Sequence, residues 1–465
     1  MFGAALLLVL SQAPASAGAN TLAWHACAQD ATADCATLTV PVDWADPAAG
    51  TIGLAVARRE ATDPAHRIGA LLMNPGGPGG SGVAMALSAG RYFSPAVTSR
   101  FDLIGFDPRG VGASQPIRCT GVGQVRDLAG QADFVALARA NRREQADCRA
   151  HSGPVAAHAD TTSVVRDMDA LRVVLGEQEI SFYGASYGTL IGEQYAERYG
   201  NRVRGMVLDG VMDHSLNLTE FAVSSAASGE DSLRYFAQWC QAQADCALRG
   251  RDVLVYWDQL LAAADQNRLV EGGVPATSWY VIQHAYGSLI RPDYAGLAQW
   301  LAALRITDQP PPHPVPVVPP AGGLVDNPRP AVFCQDWAPR VTSYADWRRI
   351  TDAERAAAPH LRYSPETHDA VLSCVGWSAP AANPPRPVHL AQAPTVLLVN
   401  SVHDPATGYS WAVGLHRQAP DRTVLLRYDG GGHTAYFRTA CVRGTVDSYL
   451  LSGTLPADGT SCPAA

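Results

Sequence analysis

Residues Phe182-Tyr183-Gly184-Ala185-Ser186-Tyr187-Gly188-Thr189 read as a buried strand turning sharply into a helix, with a serine at the apex. The stretch Ile180 to Tyr183 is short, β-branched and aromatic, and Leu190, Ile191, Gln194 and Tyr195 recur at helical spacing. Gly184 and Gly188 relieve crowding where the two elements meet. Ser186 is expected in a strained backbone conformation with its hydroxyl exposed. A G-x-S-x-G pattern also arises by chance in glycine-rich chains, so its meaning depends on its surroundings.

A second glycine cluster, Met73-Asn74-Pro75-Gly76-Gly77-Pro78-Gly79-Gly80-Ser81-Gly82, follows directly on the apolar run Ile68 to Leu72. Its position matches an oxyanion loop. Acyl transfer needs two backbone N–H donors aimed at a developing oxyanion, and glycines let the main chain approach closely. The expected donors are Gly77 and Tyr187, the residue after the nucleophile. A phosphate-cradling loop is disfavoured, because the Gly-Lys-Ser/Thr ending is missing from a chain without lysine.

In this arrangement the remaining members follow in the order serine, acid, histidine. Pro394 to Val399 reads as a strand running into Asn400-Ser401-Val402-His403-Asp404-Pro405-Ala406-Thr407, which places Asp404 in the loop at its carboxyl end. Thr423 to Arg427 reads as the last strand, followed by Tyr428-Asp429-Gly430-Gly431-Gly432-His433-Thr434. His433 is the expected general base. His403 adjoins Asp404, but adjacent residues rarely point at one target, so it is assigned a solvated loop role. Asp209 closes the strand Val203 to Leu208 and is the rival acid; Asp404 ranks above it because the histidine loop follows it in the expected order. Asp107 is expected to pair with Arg109 in a tight turn beside the oxyanion loop. His66, His151, His313 and His368 lie in polar or proline-rich contexts and read as surface residues.

Together with Gly105-Phe106-Asp107-Pro108-Arg109-Gly110-Val111-Gly112, Asp404-Pro405-Ala406-Thr407 and Gly432-His433, these motifs resemble one family. It is the tripeptidyl aminopeptidase group of secreted bacterial α/β-hydrolases, related to prolyl aminopeptidases and carrying a TAP-like C-terminal domain. The resemblance runs from about Trp24 to Cys462. It implies an α/β-hydrolase fold, a mostly parallel sheet flanked by helices with an inserted helical cap. It also implies Ser186, Asp404 and His433 as nucleophile, acid and base of a serine peptidase working through an acyl-enzyme. Neither a metal nor an organic cofactor is implied.

A chain of 465 residues, 47% hydrophobic, can bury a large core, and a net charge of -8 supplies no basic patch for nucleic acid. At the N-terminus, Gly3 to Leu10 is apolar but too short to span a bilayer, and Ala15-Ser16-Ala17 offers a small-residue cleavage site. Residues 1–17 are therefore expected to be an export signal, although a basic leading segment is missing. The mature chain is expected outside the cytoplasm, as a monomer without an integral membrane segment. Ten cysteines without a C-x-x-C pair or zinc-like spacing fit disulfides in an oxidising compartment. Nearest-neighbour pairing gives Cys27–Cys35, Cys119–Cys148, Cys240–Cys246, Cys334–Cys374 and Cys441–Cys462. The last would tie the C-terminal tail beside the helix after His433.

Residues 18–212 alternate strand and helix signals: a hairpin (Leu38 to Val42 with Ile52 to Ala57), then strands at Gly69, Phe101, Ile180 and Val203. Residues 213–387 turn helical, as in Leu233 to Ala242, Val253 to Ala264 and Tyr294 to Leu304, and include the proline stretch Pro310 to Pro320. The sheet pattern resumes within 388–465. The insertion reads as a helical cap over the strand ends. If the cap admits a peptide with a free N-terminus, it needs acids to hold the ammonium group. Glu220, Glu230, Asp231 and Asp336 are the candidates, Asp336 first, because Cys334-Gln335-Asp336-Trp337 sets it beside a disulfide and an aromatic wall. The expected activity is release of short peptides, tripeptides among them, from free N-termini. The alternative is a carboxylesterase or tailoring hydrolase acting on a small natural product, with the same triad and no ammonium site.

Overall fold

The structure is a computed structural model that describes residues 22–121, 128–308, 323–337 and 340–464. The expected export signal and the proline stretch Pro310 to Pro320 lie outside the described residues.

Ten strands make one sheet: β1 (His25–Cys27), β2 (Asp30–Pro41), β3 (Thr51–Arg59), β4 (Gly69–Asn74), β5 (Phe101–Phe106), β6 (Ile180–Ala185), β7 (Val203–Asp209), β8 (Val396–His403), β9 (Thr423–Gly431) and β10 (Thr460–Cys462). Their order is β1-β2-β3-β5-β4-β6-β7-β8-β9-β10. The first three strands meander antiparallel, and from β5 to β10 every neighbouring pair is parallel. Every residue of β4 and β5 is buried, the mark of parallel strands covered by helices on both faces. One face packs Ile104, Phe182, Leu208 and Leu398 under the helices Thr161–Val174 and Gly188–Tyr199, and the other packs Leu71, Tyr183, Val207 and Val399.

Between β7 and β8 the chain runs through helices Leu218–Ala242, Val253–Asp265, Ser278–Ile290, Tyr294–Ala303, Pro328–Trp337, Tyr344–Ala357 and Pro365–Cys374. The first four bury a core of their own around Leu233, Phe236, Trp257, Ile282, Tyr286 and Leu297. The helices Pro328–Trp337 and Pro365–Cys374 instead bury Phe333, Trp337 and Ala370 in the core they share with the sheet. All ten cysteines are paired as nearest neighbours, the five bonds expected from the sequence. Such bonds typically stabilise by about 2–4 kcal/mol each, through the unfolded state. Among the described residues, no helix is long and apolar enough to cross a membrane.

Two local expectations are corrected. Asp107 does not pair with Arg109: its carboxylate accepts from Ser81 Oγ (2.5 Å), the Val83 N–H (3.1 Å) and the Ala113 N–H (2.9 Å). Arg109 turns the other way and grips Asp167 in a fully buried fork, Nε to Oδ2 at 2.7 Å and Nη2 to Oδ1 at 2.6 Å. The fork joins the turn after β5 to the helix Thr161–Val174. His368 is a core residue rather than a surface one, 7% exposed, its ring packed on Trp347 and Tyr363. His313 lies outside the described residues.

Candidate active site

Ser186 sits between the end of β6 and the helix that begins at Gly188, and its φ is +56°. A non-glycine residue held there is strained, and the surroundings fix it: its N–H donates to the Asp209 carbonyl (2.9 Å), while its own carbonyl accepts from the Thr189 N–H (2.8 Å) and Thr189 Oγ1 (2.7 Å). The oxyanion loop is pressed against this turn. Gly76 has φ +85°, and a Cβ on it would lie 2.7 Å from the Tyr187 nitrogen. A Cβ on Gly188 would lie 2.6 Å from the Asn74 carbonyl oxygen. Glycine at both positions lets the two loops close on each other, and Gly77 and Tyr187 line one pocket with Ser186. The helix that starts here points its positive end at the same pocket.

Asp404 follows the last residue of β8, and His433 comes two residues after β9 ends at Gly431. His433 Nδ1 stands 3.0 and 2.9 Å from the two Asp404 oxygens. The aspartate is held in turn by the N–H groups of Ala406 and Thr407, both at 2.9 Å, and by Thr407 Oγ1 at 3.0 Å. Burial works against a charged imidazole here, yet the charge and hydrogen bond of Asp404 override it and lift the His433 pKa above the ordinary histidine value. Gly210 links this pair to the serine. A Cβ on it would lie 3.1 Å from His433 Cε1, and the carbonyl of the preceding Asp209 is the one that accepts the Ser186 N–H. The His433 N–H donates to the Ile290 carbonyl (2.9 Å), so the insertion helps to seat the base.

The rival acid, Asp209, has other partners. Its buried carboxylate accepts from Tyr183 Oη (2.7 Å) and from the N–H groups of Ala435 (2.7 Å) and Tyr436 (2.9 Å), which fixes the exit of the histidine loop. His403 is half-buried rather than solvated: Nδ1 meets Asp231 at 2.7 Å and the ring stacks on Tyr235 at 4.1 Å.

The Ser186 pocket holds about 410 Å³ and is lined by Met212, Phe221, Phe333 and Trp411 with two charged residues, Arg329 and Glu366. None of the four acids nominated from sequence lines it. Glu220 completes a capping box with Asn217 at the start of the helix Leu218–Ala242. Glu230 accepts the N–H groups of His360 and Leu361 (3.0 and 2.9 Å) and pairs with Arg234 (2.8 Å). Asp231 is the partner of His403. Asp336 is fully buried and accepts from the Thr161 N–H (2.8 Å), Thr161 Oγ1 (2.7 Å), Tyr187 Oη (2.7 Å) and Asn383 Nδ2 (2.9 Å). With those partners it cannot also meet a substrate. Burial pushes its carboxyl up to about 6, against the opposing Thr161 N–H. Burial and the Asp336 charge push the Tyr187 phenol well above its usual value, which keeps it a donor.

Glu366 was missed because nothing in its sequence marks it: it is the second residue of the short helix Pro365–Cys374, and only the packing of that helix against Leu218–Ala242, Ser278–Ile290 and Pro328–Trp337 brings it to the Ser186 pocket. A three-residue cluster with ligand-type atoms, Cys119, Glu144 and Cys148, has both its sulfurs bonded to each other, which removes them as metal ligands.

The profile of the TAP-like protein family matches residues 358–462, the segment that carries Glu366, Asp404 and His433. Relatives extend the likeness over nearly the whole chain. Serine protease Hip1 of Mycobacterium tuberculosis is 32% identical over 92% of this chain and 87% of its own length. The tripeptidyl aminopeptidase of Streptomyces lividans is 30% identical over 97% of this chain and 88% of its own. Carboxylesterase B of Mycobacterium tuberculosis is 34% identical over 93% and 86%. With a mostly parallel sheet, a strained serine at a strand-to-helix turn and these relatives, the chain belongs to the TAP-like family of α/β-hydrolases and is a serine hydrolase.

Proposed function

We propose that the chain is an exported aminopeptidase that releases short peptides from free N-termini, with Ser186, His433 and Asp404 as its triad. The observation that carries this reading is Glu366, the one carboxylate among the described residues that lines the Ser186 pocket. An acid beside the nucleophile in a small, mostly apolar pocket favours a substrate end that carries a positive charge. The pocket's limited volume favours a short acyl portion.

In this reading His433 Nε2 accepts the proton as Ser186 Oγ attacks the scissile carbonyl. Asp404 holds Nδ1 protonated and stabilises the imidazolium, while the N–H groups of Gly77 and Tyr187 receive the oxyanion. His433 then gives its proton to the leaving amine, and the same histidine activates the water that frees the acyl-enzyme. The relatives named a tripeptidyl aminopeptidase and a serine protease support a peptide substrate. Five disulfides support function in an oxidising compartment, and a monomer completes the proposal.

The second reading, a carboxylesterase, draws support from the relative of that name and from the apolar remainder of the pocket, Met212, Phe221, Phe333 and Trp411. A mixture of peptides with free and with acetylated N-termini, incubated with the wild-type protein and with Ser186→Ala and read by mass spectrometry, separates the two. Short N-terminal fragments from the free peptides alone, absent with Ser186→Ala, are the expected result. No cleavage of either set, with p-nitrophenyl acetate still hydrolysed, would favour the esterase.

A further inference from the structure

Beside the Ser186 pocket lies a second, larger cavity of about 1040 Å³, part of it open to solvent, that the triad does not use. Arg329 and Ala370 line both spaces, so the two meet at that pair. The cavity runs between the helices Gln131–Ser152, Pro328–Trp337 and Pro365–Cys374, with Trp377 at one end.

Its walls are fixed. Asn141 Nδ2 donates to the carbonyls of Leu372 and Val375, both at 2.8 Å, clamping the first helix to the third. The Cys334–Cys374 bond joins the second to the third, and Cys119–Cys148 anchors the first at its far end. A space bounded this way does not collapse, and it is not apolar throughout. Leu137, Ala331 and Leu372 give it a greasy floor. Above them, Gln145 Nε2, Arg329 Nε and Trp377 Nε1 are buried and find no hydrogen-bond partner among the described residues. Leaving a buried donor unpaired is costly, and three such donors around one cavity are placed to meet acceptors that enter it.

We propose that this cavity is the leaving-group subsite: it receives the peptide segment on the C-terminal side of the scissile bond. Backbone carbonyl oxygens of that segment accept from Gln145, Arg329 and Trp377, and an apolar side chain rests on Leu137 and Leu372. The assignment of sides rests on the aminopeptidase reading, since Glu366 and the smaller pocket hold the N-terminal portion and the rest of the substrate leaves past Arg329. Ala370, which lines both spaces, puts only a methyl group between them.

The test uses Ser186→Ala protein and an N-acetylated, C-amidated tetrapeptide with a leucine at its second position, titrated by calorimetry. Acetylation removes the ammonium group, so Glu366 does not enter the result. Trp377→Phe and Gln145→Leu, each added to Ser186→Ala, remove one donor while keeping bulk. Each is expected to weaken binding about tenfold, the size of one lost hydrogen bond. In proteins that keep Ser186, the same two substitutions are expected to leave p-nitrophenyl acetate turnover unchanged, because so small an ester does not reach the cavity. Absence of binding to the parent, or an affinity in both donor variants unchanged from the parent, overturns the proposal, and so does a loss of ester turnover equal to the loss of binding. Failure of the aminopeptidase reading shows separately, as equal cleavage of free and acetylated peptides.

Discussion

The sheet and the insertion above it build their halves of the site in different ways. On the sheet side each working residue stands at the carboxyl end of a strand: Ser186 after β6, Asp404 after β8, His433 just past β9. Parallel strands end together at one edge, so residues far apart in sequence are delivered to one place by topology alone. On the insertion side no such edge exists. A helix presents an acid to substrate, to a neighbouring helix or to solvent depending on its roll and tilt, and Glu220, Glu230, Asp231 and Asp336 all bond within the fold. In the proposed site, the positions of Ser186, Asp404 and His433 follow from chain order, and that of Glu366 follows from helix packing.

The sharpest break in this comparison is at Asp404. Asp404→Asn is expected to lower kcat on the order of 10⁴-fold, as loss of a triad acid does in other serine hydrolases. Because the base works in its neutral form, activity falls as pH drops through the His433 pKa, which Asp404 holds above 6.5. The substitution should therefore also move the acid limb of the pH profile to lower pH. A limb that stays in place would assign the perturbation to another group.

On the insertion side, Glu366→Gln tests whether a helix-borne acid selects the substrate. The preference for free over acetylated N-termini is expected to drop roughly a hundredfold, carried mainly by KM, as for loss of a charge-assisted contact. Unchanged preference would move the ammonium site elsewhere.

Asp336 stands between the two regions. Through Tyr187 Oη it steadies the proposed oxyanion donor, which makes it a positioning residue in that proposal. Asp336→Asn is expected to reduce kcat about tenfold with little change in KM, since the contact it supports forms in the transition state. A rise in KM with kcat unchanged would return Asp336 to the substrate-binding role expected from sequence. The smallest effect belongs to Glu220. Glu220→Gln is expected to alter stability by roughly 0.5 kcal/mol at most, measured by urea unfolding, and to leave turnover alone. Loss of activity there would show that the long helix does more than carry the insertion.

Much of the sheet side was legible because its signals are local. The elbow needs glycines at fixed offsets from Ser186, and the strands are short apolar runs with turn residues after them. Strand ends were less exact: β8 continues to His403 and β9 to Gly431, beyond the apolar runs that announced them, because ladder pairing with a neighbour extends polar residues into a strand. Arg109 shows another limit, since its partner Asp167 lies on a later helix and no local rule selects it over Asp107. His368 was misplaced for the same reason: polar neighbours in sequence do not reveal the aromatic rings that close over it. Glu366 was invisible because its importance lies in where a ten-residue helix comes to rest.

The Cys334–Cys374 bond has a further consequence. Cys334 lies two residues before the aspartate that steadies Tyr187, and Cys374 ends the helix that brings Glu366 to the pocket. One covalent link thus spans the support of Tyr187 and a wall of the Ser186 pocket. If turnover rests on that geometry, a reductant is expected to lower it, and turnover unchanged by reduction would show that packing alone holds the two helices together.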